Sequence, residues 1–251
     1  MVLPPLAGVL FFVLAIALGL VLGSFGTVLS HRLPRGETIG GRSRCPSCGR
    51  VLTAFELIPI VSYLMLGGRC RGCGRRISAF YPLVELASAA VFAVAIIETG
   101  AAPLHTLALG MALWALMLIA VTDARTQKIP DALTGILAVA ALGHRFFLDD
   151  LRIDGAFAAL AVLGAQWIVS RGRWVGTGDL FLAAAIGLLV GSWAHALIAL
   201  GLAYIIGAVF AAGVLLRRPV LGQRIAFGPF LALGAASVAL WGDWLASVMR
   251  I

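Results

Sequence analysis

Apolar residues run along this chain in long blocks with no polar alternation. That is the pattern of helices bathed in lipid, not of half-buried strands. The first block covers residues 4 to about 28. After a long polar stretch, two more cover about 81–97 and 104–122, joined by the turn Glu98-Thr99-Gly100-Ala101-Ala102-Pro103. Shorter blocks follow at about 132–147 and 155–170. The run from 180 to 216 is too long for one helix, since about 20 residues span a bilayer, and Gly191-Ser192-Trp193 is its natural break. A last block covers about 228–248. The pattern predicts an all-α polytopic membrane protein of about eight transmembrane helices.

The polar stretch carries Arg32, Arg35, Arg42, Arg44, Arg50, Arg69, Arg71, Arg75 and Arg76 against only Glu37 and Glu56. It is rich in Gly, Pro and Ser and too irregular to cross a bilayer. Its one apolar run, 54–66, is too short to span and is interrupted by Pro59, so it is expected to pack on the loop's own core or on the membrane surface. The domain boundaries that follow are a first helix over 1–30, a loop domain over 31–80 and a seven-helix core over 81–251.

Composition agrees with the pattern. The chain is 61% hydrophobic and 12% charged, where soluble domains are nearer half and a quarter. The net charge of +8 is not a nucleic-acid footprint, because the predicted inner connectors, including Arg125, Lys128, Arg171, Arg173, Arg217, Arg218 and Arg224, hold sixteen of the nineteen Lys and Arg. Only Arg145, Arg152 and Arg250 fall at outer ends. This asymmetry places the basic loop in the cytoplasm and both termini outside. No basic residue precedes the first apolar run and no A-x-A-like site closes it, so it is expected to remain as a helix.

All four cysteines lie in the basic loop as Cys45-x-x-Cys48 and Cys70-x-x-Cys73, each pair beside a glycine. Paired thiols at this spacing, in a cytoplasmic segment, point to a tetrahedral Cys₄ zinc site. Four sulfurs leave no open position, so the metal is expected to be structural. Four free thiols or two disulfides are the alternatives.

Two carboxylates sit at predicted helix ends on the inner face. Asp123 closes the third block, and Asp179 opens the sixth after Gly176-Thr177-Gly178. An ionisable group at a membrane-helix terminus is expensive and marks function by default. Two at one depth can form a pair in which one carboxyl keeps its proton while the other activates water. Gly176 and Gly178 let backbone and substrate approach closely. The bland alternatives are that Asp179 caps its helix and Asp123 pairs with Arg125 among headgroups. Asp131, after Ile129-Pro130, reads as an N-cap or first-turn residue. Glu85, one turn inside the second helix, is a costly carboxylate that either supports the active site or bonds a neighbouring helix. Glu56 reads as a loop residue, and the four histidines, His31, His105, His144 and His195, share no ligand spacing.

The ordered motifs resemble those of the type IV prepilin peptidases, membrane aspartyl proteases that share the GxGD motif with presenilin-like enzymes. The matching pieces are Gly23-Ser24-Phe25 with Arg32-Leu33-Pro34, the two Cys pairs, Ile58-Pro59-Ile60-Val61-Ser62-Tyr63, Tyr81-Pro82-Leu83-Val84-Glu85, Asp123 with Ile129-Pro130, Gly176 to Asp179, and Phe227-Gly228-Pro229-Phe230. The resemblance implies that Asp123 and Asp179 cut the short basic leader from pilin-like or pseudopilin precursors at the cytoplasmic face of a bacterial inner membrane. It also implies that the new N-terminus is methylated from S-adenosylmethionine, at a site no motif locates. Two positions depart from the family pattern: Thr27 stands where Asn is common, and Phe181 where Lys is common. The first puts methyl transfer in question and leaves a peptidase alone as the alternative. A proton-coupled transporter and an inactive scaffold are the competitors from other classes.

Overall fold

A computed structural model describes residues 5–217 and 225–249. Arg218, Arg224 and Arg250 lie outside the described residues. Among the described residues the chain is helical, with α1 (Pro5–Arg32), α2 (Val61–Met65), α3 (Phe80–Glu98), α4 (Pro103–Thr126), α5 (Asp131–Phe147), α6 (Asp154–Ser170), α7 (Thr177–Val190), α8 (Trp193–Arg217) and α9 (Gly228–Met249). Two isolated antiparallel bridges, Arg44 with Val51 and Arg69 with Arg76, are the extended pairings among them. The chain divides into two compact units, Met1–Gly110 and Met111–Ile251.

Five helices, α1, α3, α4, α8 and α9, are long and apolar enough to cross a membrane. The apolar helices α5, α6 and α7 are shorter, with 17, 17 and 14 residues. At 1.5 Å per residue the 14 residues of α7 reach only about 21 Å, against a hydrocarbon core of about 30 Å.

In the first unit, α1 packs on α3. Glycines on α1 set the approach. A Cβ on Gly19 would lie 2.8 Å from the Ala89 Cα, and one on Gly23 would lie 2.6 Å from the Glu85 Cα. Side chains this small let membrane helices touch backbone to backbone. The helix α1 runs one turn past the predicted end, because nothing in Leu29-Ser30-His31-Arg32 breaks it before Pro34. Between α1 and α3 the loop forms two tight turns, a short 3₁₀ turn at Ala54–Leu57, and α2. Phe55, Leu57, Ile58, Val61, Leu64 and Met65 are exposed, so the apolar run of the loop does not bury itself in a core of its own.

In the second unit α7 is the hub, packed against α5, α6, α8 and α9. Leu182, Ala183, Ala185, Ile186, Leu189 and Val190 are all buried, as expected of a helix apolar on every side. Small residues again allow the approach. A Cβ on Gly187 would sit 2.3 Å from the Gly155 carbonyl oxygen at the start of α6. The Asp154 carboxylate there accepts the Trp193 N–H at the start of α8, 2.9 Å away. The break between α7 and α8 falls at Gly191, whose φ of +79° suits glycine.

Candidate active site and metal centre

Asp123 lies one turn inside the C-terminal end of α4, 5% exposed. Its Oδ2 accepts the backbone N–H of Gly228 at 2.8 Å. A Cβ on Gly228 would come within 2.7 Å of that same oxygen, so the N-terminus of α9 can close on the carboxylate only with glycine there. Asp179 occupies the third residue of α7, and its Oδ2 accepts the N–H of Gly176, the N-cap, at 2.9 Å. It is therefore not the cap itself. The carboxylate satisfies one of the orphan donors of the helix start, where the helix dipole also favours negative charge. Both aspartates belong to the second unit. Each spends one oxygen on a backbone donor and keeps Oδ1 outside that bond.

Gly178, the residue before Asp179, has a packing reason. A Cβ on Gly178 would meet the Ile129 Cβ at 3.2 Å, so the start of α7 lies directly on the loop that follows Asp123. The blocks Ile129-Pro130 and Gly176–Asp179 are two faces of one contact. Asp131 is the first residue of α5, after Pro130 at its N-cap. Phe181 is largely exposed.

Sequence reasoning missed one polar pair beside this site. The Tyr204 hydroxyl on α8 donates to the Gln166 Oε1 on α6 at 2.7 Å. The Tyr204 ring lies 5.1 Å from that of Phe227, next to Gly228. The signal was available: Gln166 is an isolated amide in an apolar helix.

In the first unit the two Cys pairs form two copies of one turn. The Cys45 N–H donates to Arg50 O and the Gly49 N–H to Cys45 O, both at 2.9 Å. The second copy repeats this with Cys70 N–H to Arg75 O at 2.9 Å and Gly74 N–H to Cys70 O at 2.8 Å. Gly49 and Gly74 take φ of +72° and +69°, the left-handed region in which glycine is unstrained. The four Sγ atoms lie within 4.8 Å of one another, and Cys45 and Cys73 are 4.0 Å apart. A tetrahedral Cys₄ metal with bonds of about 2.3 Å needs sulfurs close to this spacing. All four cysteines are free of disulfides. Backbone N–H groups of Cys73 and Gly72 point at the Cys70 sulfur and bring its thiol down to about 6, which prepares a thiolate ligand. The cluster could hold a metal ion, and it is the one group of metal donors among the described residues.

Glu56 is fully employed in this loop. Its Oε1 pairs with the Arg50 guanidinium, and its Oε2 accepts both the N–H and the hydroxyl of Thr53 at 2.9 Å. The Arg50 hydrogen bond, then the Thr53 N–H, hold its carboxyl down at about 2.

A cavity of about 1030 Å³ opens in the first unit. Ser24 and Thr27 of α1, Tyr81 and Glu85 of α3, and Tyr63 and Arg76 of the loop are among its walls. Glu85 is buried, and its Oε2 accepts the N–H of Ile60 at 2.8 Å. Thr27 is also buried, and its hydroxyl donates to Ser24 O at 2.7 Å, so it turns back into its own helix. Of the residues predicted to act together, the structure thus groups Asp123, Asp179, Gly176 and Gly178 in the second unit, while Glu85 and the cysteines belong to the first.

Comparison with known proteins finds two family models along the chain. Residues 17–99 match the bacterial peptidase A24 N-terminal domain, and residues 110–212 match the type IV leader peptidase family. The chain is 34% identical over 269 residues to the prepilin leader peptidase/N-methyltransferase of Aeromonas salmonicida, covering 93% of this chain and 92% of that one. It is 33% identical to the Pseudomonas aeruginosa protein of the same name, covering 93% and 91%. The Bacillus subtilis protein of that name is 37% identical over 238 residues, covering 91% and 94%. No solved structure matches the chain.

Proposed function

We propose, since the chain belongs to the type IV leader peptidase family, that Asp123 and Asp179 are the catalytic pair that removes the leader from prepilin-like precursors. The observation that carries the reading is the way the second unit holds the two carboxylates: each is fixed through Oδ2 by a glycine N–H, and each has Oδ1 left over. In the reaction one carboxyl carries the proton and the other, ionised, takes a proton from water as it attacks the peptide carbonyl. The protonated partner hydrogen-bonds the carbonyl oxygen as charge develops there, and later protonates the leaving amine. Gly178 lets the start of α7 rest on Ile129, and Gly176 brings its N–H to the Asp179 carboxylate, so the glycines of the motif set where that carboxylate sits.

The distribution of arginines supports a cytoplasmic cysteine loop and outside termini. The precursor's basic leader then waits on the side of the Asp pair. The membrane is the bacterial inner membrane, and the substrate's hydrophobic helix lies in it beside the enzyme.

The metal in the cysteine loop is zinc, and its role is structural. Four thiolates complete a tetrahedron and leave no place for substrate. A loop whose apolar residues stay exposed gains its folding energy from the metal.

The second activity, methylation of the new N-terminus, draws on S-adenosylmethionine, which supplies an electrophilic methyl group on a cationic sulfur. The cavity of the first unit fits such a ligand by its donor set: tyrosines, a buried carboxylate and an arginine are among the residues that line it. Its volume is at the upper end of the 300–1,000 Å³ or so common for small-molecule sites. Thr27 supports a second reading, a peptidase without methyl transfer, because its hydroxyl hydrogen is spent within α1.

Mass spectrometry of a pilin-like precursor incubated in detergent with the full chain and S-adenosylmethionine tests both. Cleavage with a mass gain of one methyl is the expected result. Cleavage alone would support the second reading. An intact precursor that a control peptidase does cut would overturn the assignment of the pair.

A further inference from the structure

Several of the motif blocks that proteolysis does not use surround one place. Gly23, Thr27, Ile60, Tyr63, Tyr81 and Glu85 come from three separate segments, and Thr27, Tyr63, Tyr81 and Glu85 line the cavity of the first unit. Gly23 is what lets α1 cross α3 directly at Glu85. The Ile60 backbone is the unusual element. Its φ is +60° and its ψ −52°, in the middle of a three-residue turn closed by the Val61 N–H on the Pro59 carbonyl. This form of the γ-turn is rare and strained, and a β-branched residue at positive φ is an outlier that persists only where the surroundings hold it. What the strained turn presents is its N–H, donated to the Glu85 Oε2.

A buried carboxylate on a membrane helix is costly unless something cationic or hydrogen-bonding meets it. Ile60 satisfies one oxygen. The other, Oε1, is outside that bond on a residue that lines the cavity. We propose that Glu85 is the cation anchor of the methyl-transfer site, fixed by the Ile60 clamp so that Oε1 receives a primary ammonium group. The proposal rests on the methyltransferase reading above. Two ammonium groups belong to that reaction: the α-ammonium of S-adenosylmethionine and the amine of the freshly cut substrate. Tyr63 and Tyr81, on the same walls, suit the adenine and sulfonium of the donor through their ring faces.

The test uses the full chain in detergent and a synthetic peptide that already begins at the mature N-terminus, so that methylation is read without cleavage. Equilibrium dialysis with labelled S-adenosylmethionine gives donor affinity, and methylation kinetics give the peptide KM. Glu85→Gln keeps an oxygen for the Ile60 N–H and removes the charge. It is expected to weaken donor binding or raise the peptide KM by about ten- to a hundredfold, the range of a hydrogen bond to a charged group. Loss in the first measurement assigns Oε1 to the donor, and loss in the second to the substrate amine. If both are unchanged, Glu85 is not the anchor, although the methyltransferase reading stands. If the unaltered chain neither binds donor nor methylates, that reading falls and the anchor with it. Should Glu85→Gln lose its metal or its fold, two comparisons on the unaltered chain decide. S-adenosylhomocysteine is set against its analogue lacking the α-ammonium, and the peptide against its N-acetyl form as competitors. A tenfold preference for the ammonium form in either pair is expected, and no preference in both overturns the proposal.

Discussion

In the first unit four sulfurs are brought together by two copies of the same short turn. In the second, two carboxylates at helix ends far apart in sequence are each held by a backbone N–H, one of them from a glycine 105 positions away. The cysteine turns are local. Each closes with hydrogen bonds between near neighbours, and each needs one glycine at positive φ. The aspartates depend on long-range packing. Asp123 needs α9 to arrive with Gly228, and Asp179 needs the start of α7 to rest on Ile129. Both sites use backbone N–H groups to orient anionic atoms, because these donors cost little further ordering once the helix or turn is formed. The lesson is that the cysteine cluster is assembled by short local turns, whereas the two carboxylates are held in place only by the packed fold.

Removing the atoms themselves should separate the two sites most sharply. Asp123→Ala or Asp179→Ala is expected to lower leader cleavage by at least about 10³-fold, in line with the loss of a positioned acid or base. Metal content, read by mass spectrometry of the purified protein, should stay the same. A mutant that still cuts its precursor at a normal rate would dissolve the pair. The converse change is Cys45→Ser or Cys70→Ser, which should cost the metal and open the loop to proteolysis while the second unit keeps its helices. If the unaltered protein carries no zinc after gentle purification, the structural-metal half of the comparison is lost.

The glycines give a graded test. A methyl on Gly228 would overlap Asp123 at 2.7 Å, while one on Gly178 would press Ile129 at 3.2 Å. Gly228→Ala is expected to lower the cleavage rate by about 10- to 100-fold, since small misplacements of a catalytic group are that costly. Gly178→Ala should cost several-fold less, because Ile129 can yield by a few tenths of an ångström. Equal effects, or a reversed order, in rates measured with saturating precursor would mean that the α9 clamp is not what positions Asp123.

These contrasts explain what could be read from the chain. Helix existence followed from apolar blocks, and the ends moved by a turn only where no breaker stood, as at Leu29 to Arg32. The depth that each shorter block reaches was less legible. A block such as α7 reads as a span by hydropathy, but its length is set by Gly191 and by four neighbouring helices. The cysteine cluster was visible from spacing because its geometry is local. The pairing of Asp123 with Asp179 was an expectation from assumed topology, and the role of Gly228 in holding Asp123 could not be read, because a contact across 105 positions has no periodicity. Ile60 with its strained turn left no sequence signal, and Gln166, an isolated amide in an apolar helix, marked a polar contact without naming Tyr204 as its partner.

The smallest effect concerns the loop's own ion pair, and it asks whether the metal alone holds the first unit's loop. The Arg50 guanidinium, with the Thr53 N–H, holds the Glu56 carboxyl at about 2, well below its ordinary value. For an acid whose folded value is depressed, the stabilisation is complete above the unfolded value, about 4.3, and is lost as pH falls through about 2. Glu56→Gln should therefore loosen the 3₁₀ turn at neutral pH. It should speed hydrogen exchange at the Thr53 and Glu56 amides without removing the metal. The difference from the unaltered chain should shrink steadily as pH falls from about 4 toward 2. Carboxyl chemical shifts read the same quantity directly, with a midpoint expected near 2. A midpoint at the ordinary glutamate value, with exchange rates unchanged by the substitution, would leave the loop held by the metal and the two glycine turns alone.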